Sequence, residues 1–273
     1  MESVSDDDLI HLDLFSGIGG FALAARWVGG IRTIGFCDVE DYACKTLEKN
    51  FKGIPIFRDV RKLHPDGIIS RDGRIDFISA GFPCQDLSVA GNQAGIEADR
   101  SGLFFEIMRL SDEIYAYCRV RPALVLENVS NILAGDGGSW ARAVYGELAS
   151  RGYCVEWKTL GAAHVGAPHR RLRWWAVCYM AHTNRNGFEQ RRKSVTKTGS
   201  NGSFRKPGGS TECGLGGMVD GIPDWLDEPG DIPRVTTGQK NRVARLKGLG
   251  NAVVPQCAMI PLMRIKEIYQ GGI

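Results

Sequence analysis

Short apolar runs, each closed by turn residues, alternate along most of the chain with segments whose apolar residues recur every three or four positions. The run "LIHLDLF" (9–15) reads as a strand, and "GGFALAARWVGG" as a helix opening and closing on glycines. "IRTIGFCD" predicts a second strand, "VEDYACKTLEKNF" an amphipathic helix, "GIPIF" a short third strand and "IDFISA" (75–80) a fourth. "LFFEIMRLSDEIYAYC" carries helical spacing, "PALVLENV" (122–129) is a buried strand, and a helix near 139–151 leads into the strands "YCVEWKTLGA" and "RWWAVCYMA". Strand–helix alternation of this kind predicts an α/β doubly wound, mostly parallel sheet.

The periodicity stops near residue 181 and resumes in "RVARLKGLGNAVVPQCAMIPLMRIKEIYQ", which ends in a helix. The simplest organisation is a core over 1–179, a small insert over 180–239, and a C-terminal segment over 240–273 that returns to the core. Charge sharpens this picture. The chain is +3 overall, yet Arg185, Arg191, Arg192, Lys193, Lys197, Arg205 and Lys206 face Glu189 alone between 181 and 211. Such a segment suits a phosphate backbone, and charge alone suits a solvated loop equally well.

Cysteine usage narrows the class further. The eight cysteines are scattered through apolar stretches with no C-x-x-C pair, as expected of reduced thiols rather than a zinc site or a disulfide framework. No metal is expected. The acidic start MESVSDDDLI lacks an apolar signal region, and no run approaches membrane-spanning length, so the expectation is a cytoplasmic protein without a membrane partner.

Ligands of open α/β sheets bind at the carboxyl ends of strands. The first strand ends in "DLFSGIGGF", with Asp13, Phe15, Gly17, Gly19 and Gly20, where glycine lets backbone approach a ligand. Asp38 ends the second strand, placed to accept from a ribose diol, and Asp59 follows the third. The turn does not read G-x-G-x-x-G, which favours a nucleoside cofactor over a dinucleotide. The fourth strand runs into the rigid pair Pro83-Cys84 and then a long segment without apolar period. A free thiol is roughly 3% ionised at neutral pH, enough for a nucleophile once activated. A long aperiodic loop beside it reads as a lid. The fifth strand ends in "LENV", bringing Glu127 and Asn128 to the same edge, although a structural glutamate paired with an arginine fits the spacing too. In "GAPHRRLRWWAV", alternation puts Arg171 and Arg173 on one face, aimed at an anionic or carbonyl ligand or else simply at solvent.

"DLFSGIGGF", "GFPCQDLSVAG", "LENV", "HRRLR" and "GLGNAVVPQ", in this order, resemble the motifs of the DNA cytosine-5 methyltransferases. The likeness covers nearly the whole chain outside about 181–240. It implies a Rossmann-like S-adenosylmethionine-dependent sheet with a small basic target-recognition insert. The cofactor pocket implied comprises Phe15, Ser16, Gly17, Gly19, Asp38, Asp59, Val60, Leu103, Asn251 and Val253, with Asp13, Gly20 and Pro83 in the same set. Phe15 would pack on the adenine and Asp38 would hold the ribose. The implied chemistry is attack of the Cys84 thiolate on C6 of a flipped-out cytosine, with Glu127 bonding N3 and C5 taking the methyl. Arg173 and Arg171 would contact the base carbonyl or a flanking phosphate, and Gln85, Ser88 and Asn128 would lie by the flipped nucleotide.

Three departures stand out. His169 replaces the glutamine and Val254 the proline that many relatives carry, and the recognition segment is short for the family. The resemblance implies a monomer acting on double-stranded DNA, as a companion of a restriction endonuclease or as a solitary phage-type or mobile-element enzyme. Two other readings are RNA methylation and a catalytically decayed DNA-binding relative. The Cys-Phe-Thr signature of the tRNA-modifying branch is missing from 180–240, and Cys84, Glu127, Arg173 and Asn251 are all retained.

Overall fold

The computed structural model describes residues 8–69, 73–83, 102–167, 169–181 and 242–271. Seven strands form one sheet: β1 (Leu9–Leu14), β2 (Ile31–Cys37), β3 (Ile56–Phe57), β4 (Phe77–Gly81), β5 (Ala123–Val129), β6 (Tyr153–Gly161) and β7 (Leu172–Met180). Their order is β3-β2-β1-β4-β5-β7-β6. Neighbours from β3 to β5 pair in parallel, whereas β7 runs antiparallel to both β5 and β6. The doubly wound, mostly parallel α/β sheet read from the sequence is therefore present.

Helices α1 (Gly20–Val28), α2 (Asp41–Asn50), α3 (Pro65–Ile68), α4 (Leu103–Cys118), α5 (Ser139–Ser150), α6 (Arg242–Asn251) and α7 (Pro255–Tyr269) cover the sheet. Side chains alternate across the strands as the pleat requires. Leu12, Ile78, Leu124 and Trp174 pack with Ile107 and Met108 of α4 and Leu148 of α5. On the other face Phe77, Val125 and Trp175 pack with Phe21 of α1 and Leu262 and Ile265 of α7. Strands covered on both faces read as continuous apolar runs, and for that reason β5 and β7 stood out in the sequence.

Three elements differ from expectation. The third strand shrinks to two residues, because Pro55 has no N–H to donate and only Phe36 and Cys37 pair with it. The short α3 has too few residues to show a period. The C-terminal segment ends in the expected helix, α7, and carries a further helix, α6, ahead of it: residues 252–254 separate the two, and α7 begins with Pro255 in its first turn, where a missing N–H costs nothing. The expected insert over 180–239 lies outside the described residues, save its first two positions. The order of β-strands reverses between β1 and β4, so the carboxyl ends of those two strands flank the crevice in which such sheets bind ligands.

Candidate active site

The turn after β1 is built from residues with left-handed backbone: Phe15 (φ 53), Gly17 (φ 53) and Gly19 (φ 89). Ser16 staples it to the sheet. Its hydroxyl donates to the Asp13 carbonyl (2.6 Å) and accepts from the Cys37 N–H (3.2 Å), and its own N–H donates to the Cys37 carbonyl (3.1 Å). This ties the ends of β1 and β2 together and brings Gly17 to Asp38. The Asp38 carboxylate accepts from the Gly17 N–H (2.7 Å) and the Glu40 N–H (2.8 Å), so its direction is fixed by backbone. Arg61 fixes Asp59 similarly at 2.9 Å and holds that carboxyl below its usual range. Phe15 and Leu103 pack, partly buried, against the cluster that contains Val60.

Gly20 brings in the C-terminal segment. A Cβ on Gly20 would lie 2.6 Å from the Val253 carbonyl oxygen, so only glycine lets the 250–254 link approach α1 this closely. The link also reaches the other half of the site, since a Cβ on Gly81 would lie 3.4 Å from Val253 Cγ2 and 3.3 Å from Glu127 Oε2.

Glu127 stands directly opposite Gly81 in the β4–β5 register, three positions before Cys84 in the chain order of β4. Its parity with Val125 turns it toward the face covered by α1 and α7. Arg173 Nε lies 3.2 Å from Glu127 Oε1. Burial nevertheless dominates, and it pushes the Glu127 carboxyl up to about 7 against the opposing pull of Arg173 and Arg171. Asn128, almost fully buried, donates to the Phe82 carbonyl (2.9 Å) and accepts from the Val129 N–H (2.8 Å). It thereby fixes the exit of β4 just ahead of Pro83, which is exposed. Cys84, Gln85 and Ser88 lie outside the described residues.

The structure thus gathers the expected residues into two adjoining groups. One is the turn with Phe15, Ser16, Gly17, Gly19, Gly20, Asp38, Asp59, Val60 and Leu103; the other is Glu127, Asn128 and Arg173 beside Gly81. Val253 touches both. Asn251 is exposed on the same link, and Arg171 donates through Nη2 to the carbonyls of Gly250 (2.7 Å) and Ala252 (2.6 Å).

Asp13 is fully buried beneath the turn, within a polar chain that the sequence reading missed. Ser79 donates to Asp13 Oδ1 (2.6 Å), His11 Nε2 meets the Ser79 hydroxyl (2.8 Å), and His11 Nδ1 meets Thr33 Oγ1 (2.9 Å). Thr33 donating to His11 Nδ1, and His11 Nε2–H to Ser79, satisfies each bond with a neutral imidazole. Burial accordingly pulls His11 down to about 3 and pushes Asp13 up to about 8. A signal was available: two polar residues two apart in "LIHLDLF" share one face of an otherwise apolar strand. Arg58 was missed as well. It donates to the Val39 carbonyl (3.0 Å) and pairs with Asp41, bracing the turn that follows Asp38, and nothing in the local sequence marks that contact.

A sheet of this order, with a backbone-fixed acid after β2 and a glycine turn after β1, is the Rossmann-like sheet of S-adenosylmethionine-dependent methyltransferases. The sequence matches the C-5 cytosine-specific DNA methylase family over residues 10–212, and the chain belongs to that family. It is 32% identical to the Type II methyltransferase M.HhaI of Haemophilus parahaemolyticus over 182 residues, 66% of this chain and 52% of that protein. Type II methyltransferase M2.BsuMI of Bacillus subtilis (strain 168) is 35% identical over 162 residues, 59% of this chain and 40% of that one. The chain thus spans about half, or less, of the length of these curated relatives. Among solved structures, a mutant of Spodoptera frugiperda DNMT2 superposes with a TM-score of 0.52 at 21% identity, over 65% of this chain and 51% of that chain. At that identity the likeness is one of fold.

Proposed function

We propose that this chain is the catalytic part of a DNA cytosine-5 methyltransferase, acting on a cytosine flipped out of duplex DNA. The observation that carries the reading is Glu127: a buried carboxyl, tuned to about 7, held by the sheet register beside the strand end that leads to Cys84. The donor set at the β1 turn fits a nucleoside. It offers the partly buried ring of Phe15, the oriented carboxylates of Asp38 and Asp59, the left-handed backbone of Gly17 and close-packed backbone at Gly20. These residues, with Asn251 and Val253, would hold S-adenosylmethionine, which when bound supplies an electrophilic methyl group.

The work of this chain is to make C5 of cytosine nucleophilic. The Cys84 thiolate bonds to C6, and the ring electrons move toward C5 and N3. Glu127, protonated, donates to N3 and stabilises that charge, while Arg173 holds the carboxyl in place and meets the base carbonyl or a flanking phosphate. After methylation at C5, loss of the C5 proton restores the double bond and expels the Cys84 thiolate. Asn128 holds the Phe82 carbonyl and with it the direction in which Pro83 and Cys84 leave β4. Unstacking the base costs a few kcal/mol, which contacts from Gln85 and Ser88 offset. The basic stretch 181–211 contacts phosphates within a target-recognition region over 180–239. Relatives named Type II methyltransferases favour a companion of a restriction endonuclease over a solitary enzyme.

Labelled S-adenosylmethionine with duplex DNA or tRNA offered separately, followed by nucleoside mass spectrometry, tests the reading. Label in 5-methylcytosine from DNA, abolished in Cys84→Ala, is the expected result. Label in tRNA alone would move the substrate to RNA, and near-normal turnover by Cys84→Ala would remove the nucleophile.

A further inference from the structure

Arg171 stands one residue before β7 with φ 32, a left-handed backbone that a non-glycine residue keeps only where its surroundings over-determine it. Its guanidinium crosses to the C-terminal segment, and Nη2 donates to the carbonyls of Gly250 (2.7 Å) and Ala252 (2.6 Å). These are the carbonyls immediately before and after Asn251. Two charge-assisted bonds from one nitrogen therefore fix the peptide plane that enters Asn251 and the plane that enters Val253. A cavity of about 540 Å³, lined by Gly19, Gly20, Arg171, Leu249, Ala252 and Val253, lies against the link. Val253 approaches Gly20 and Gly81, Val253 and Val254 pack against the cluster of α1 and α7, and Asn251 itself is exposed.

We propose that Arg171 is a positioning residue: it clamps the 250–252 backbone so that Asn251 and Val253 face the cofactor, and it ties that link to the β7 edge carrying Arg173. The assignment rests on the function proposed above and divides the two arginines by task. Arg173 serves Glu127 and the base, whereas Arg171 serves the cofactor through backbone it does not itself share with the ligand.

Two readouts on wild type, Arg171→Ala, Arg171→Lys and Arg173→Ala test the division. The first is hydrogen–deuterium exchange over 249–254, which needs no ligand. The second is the affinity for S-adenosylmethionine, with the rate of methyl transfer to duplex DNA at saturating cofactor. Loss of two bonds to a charged donor predicts exchange over 249–254 faster by about tenfold or more in Arg171→Ala, with peptides from β5 unchanged. It also predicts cofactor affinity weakened by about tenfold with the saturated rate within about twofold, and partial rescue of both by Arg171→Lys. Arg173→Ala should do the reverse, lowering the rate and leaving exchange over 249–254 alone. Wild-type exchange in Arg171→Ala, or a loss confined to the saturated rate, would overturn the proposal. Should wild type neither bind the cofactor nor methylate, the function proposed above fails, and the exchange comparison decides the clamp by itself. If the alanine variant does not fold, Arg171→Gln, which keeps one amide donor, carries the same comparison.

Discussion

Glu127 holds a carboxyl group where ionisation is costly, and two arginines next to it do not fully compensate. The group is poised to be half-protonated near neutrality, the condition for a donor that must give a hydrogen bond without blocking the reaction as a fixed charge. Wild-type single-turnover methyl transfer should fall above about pH 7, and Glu127→Gln should cut the rate by about 100-fold or more and abolish that fall. A fall at the same pH in both proteins would assign it to another group. Asp13 and His11 make a matching argument about stability. Asp13 keeps its proton up to about 8 when folded, so between the usual carboxylate value and about 8 the native state binds more protons than the unfolded chain. Its contribution is then lost as pH rises through that window. His11 works the other way: neutral in the fold down to about 3, it loses stability as pH falls below its usual 6.5. Above 6.5 only the Asp13 window of this pair remains open, so Asp13→Asn should gain stability relative to wild type as pH rises from 6.5 to about 8, read from urea midpoints. A constant difference across that range would mean that Asp13 is already ionised in the fold. None of these shifts is legible from residue type, because burial sets them and burial depends on which strands become neighbours.

At the level of elements, sequence and structure agree wherever a period or a turn residue carries the information. The run that became β1, the glycines opening α1 and the acid closing β2 were visible, and so was the convergence of strand ends at one edge. What escaped notice are bonds between backbone groups and distant side chains. Asn128 reaches Phe82, and Arg171 reaches Gly250 and Ala252 across some eighty residues; no local pattern encodes such partners. The reversed direction of β7 was equally silent, since an apolar run reads the same in either sense. The break between α6 and α7 did carry a signal in Pro255, which ends one helical pattern and starts another. The junction of α1 with this break yields a prediction. Gly20→Ala places a methyl 2.6 Å from the Val253 oxygen, and backbone cannot yield as a side-chain tip can. A loss of about 1–3 kcal/mol in stability is expected from such overpacking, together with weaker binding of S-adenosylmethionine, checked by thermal unfolding and titration. Unchanged values in both would show that the link can shift freely away from α1.

For the whole molecule, the last helix is as much part of the core as the first. Leu262 and Ile265 of α7 are fully buried among Phe21, Ala24, Phe77 and Val125, which ties residues near the end of the chain to those near its beginning. Leu262→Ala should cost about 2–5 kcal/mol and shift one cooperative unfolding transition rather than detach α7 alone. A separate early transition would mark α7 as an independent unit. The architecture was read correctly from alternation, while the partner of α7 was not, since helical spacing shows that a face is buried without naming what buries it.

The pairing of Gly81 with Glu127 has a mechanical consequence. The spacing between the carboxyl and the strand that delivers the thiol is one rung of a hydrogen-bonded ladder in the middle of the sheet. Slipping by one residue would turn Glu127 to the opposite face. The placement of the carboxyl against the end of β4 is therefore all-or-none: it inherits the stiffness of the sheet and cannot loosen by degrees while the sheet remains intact.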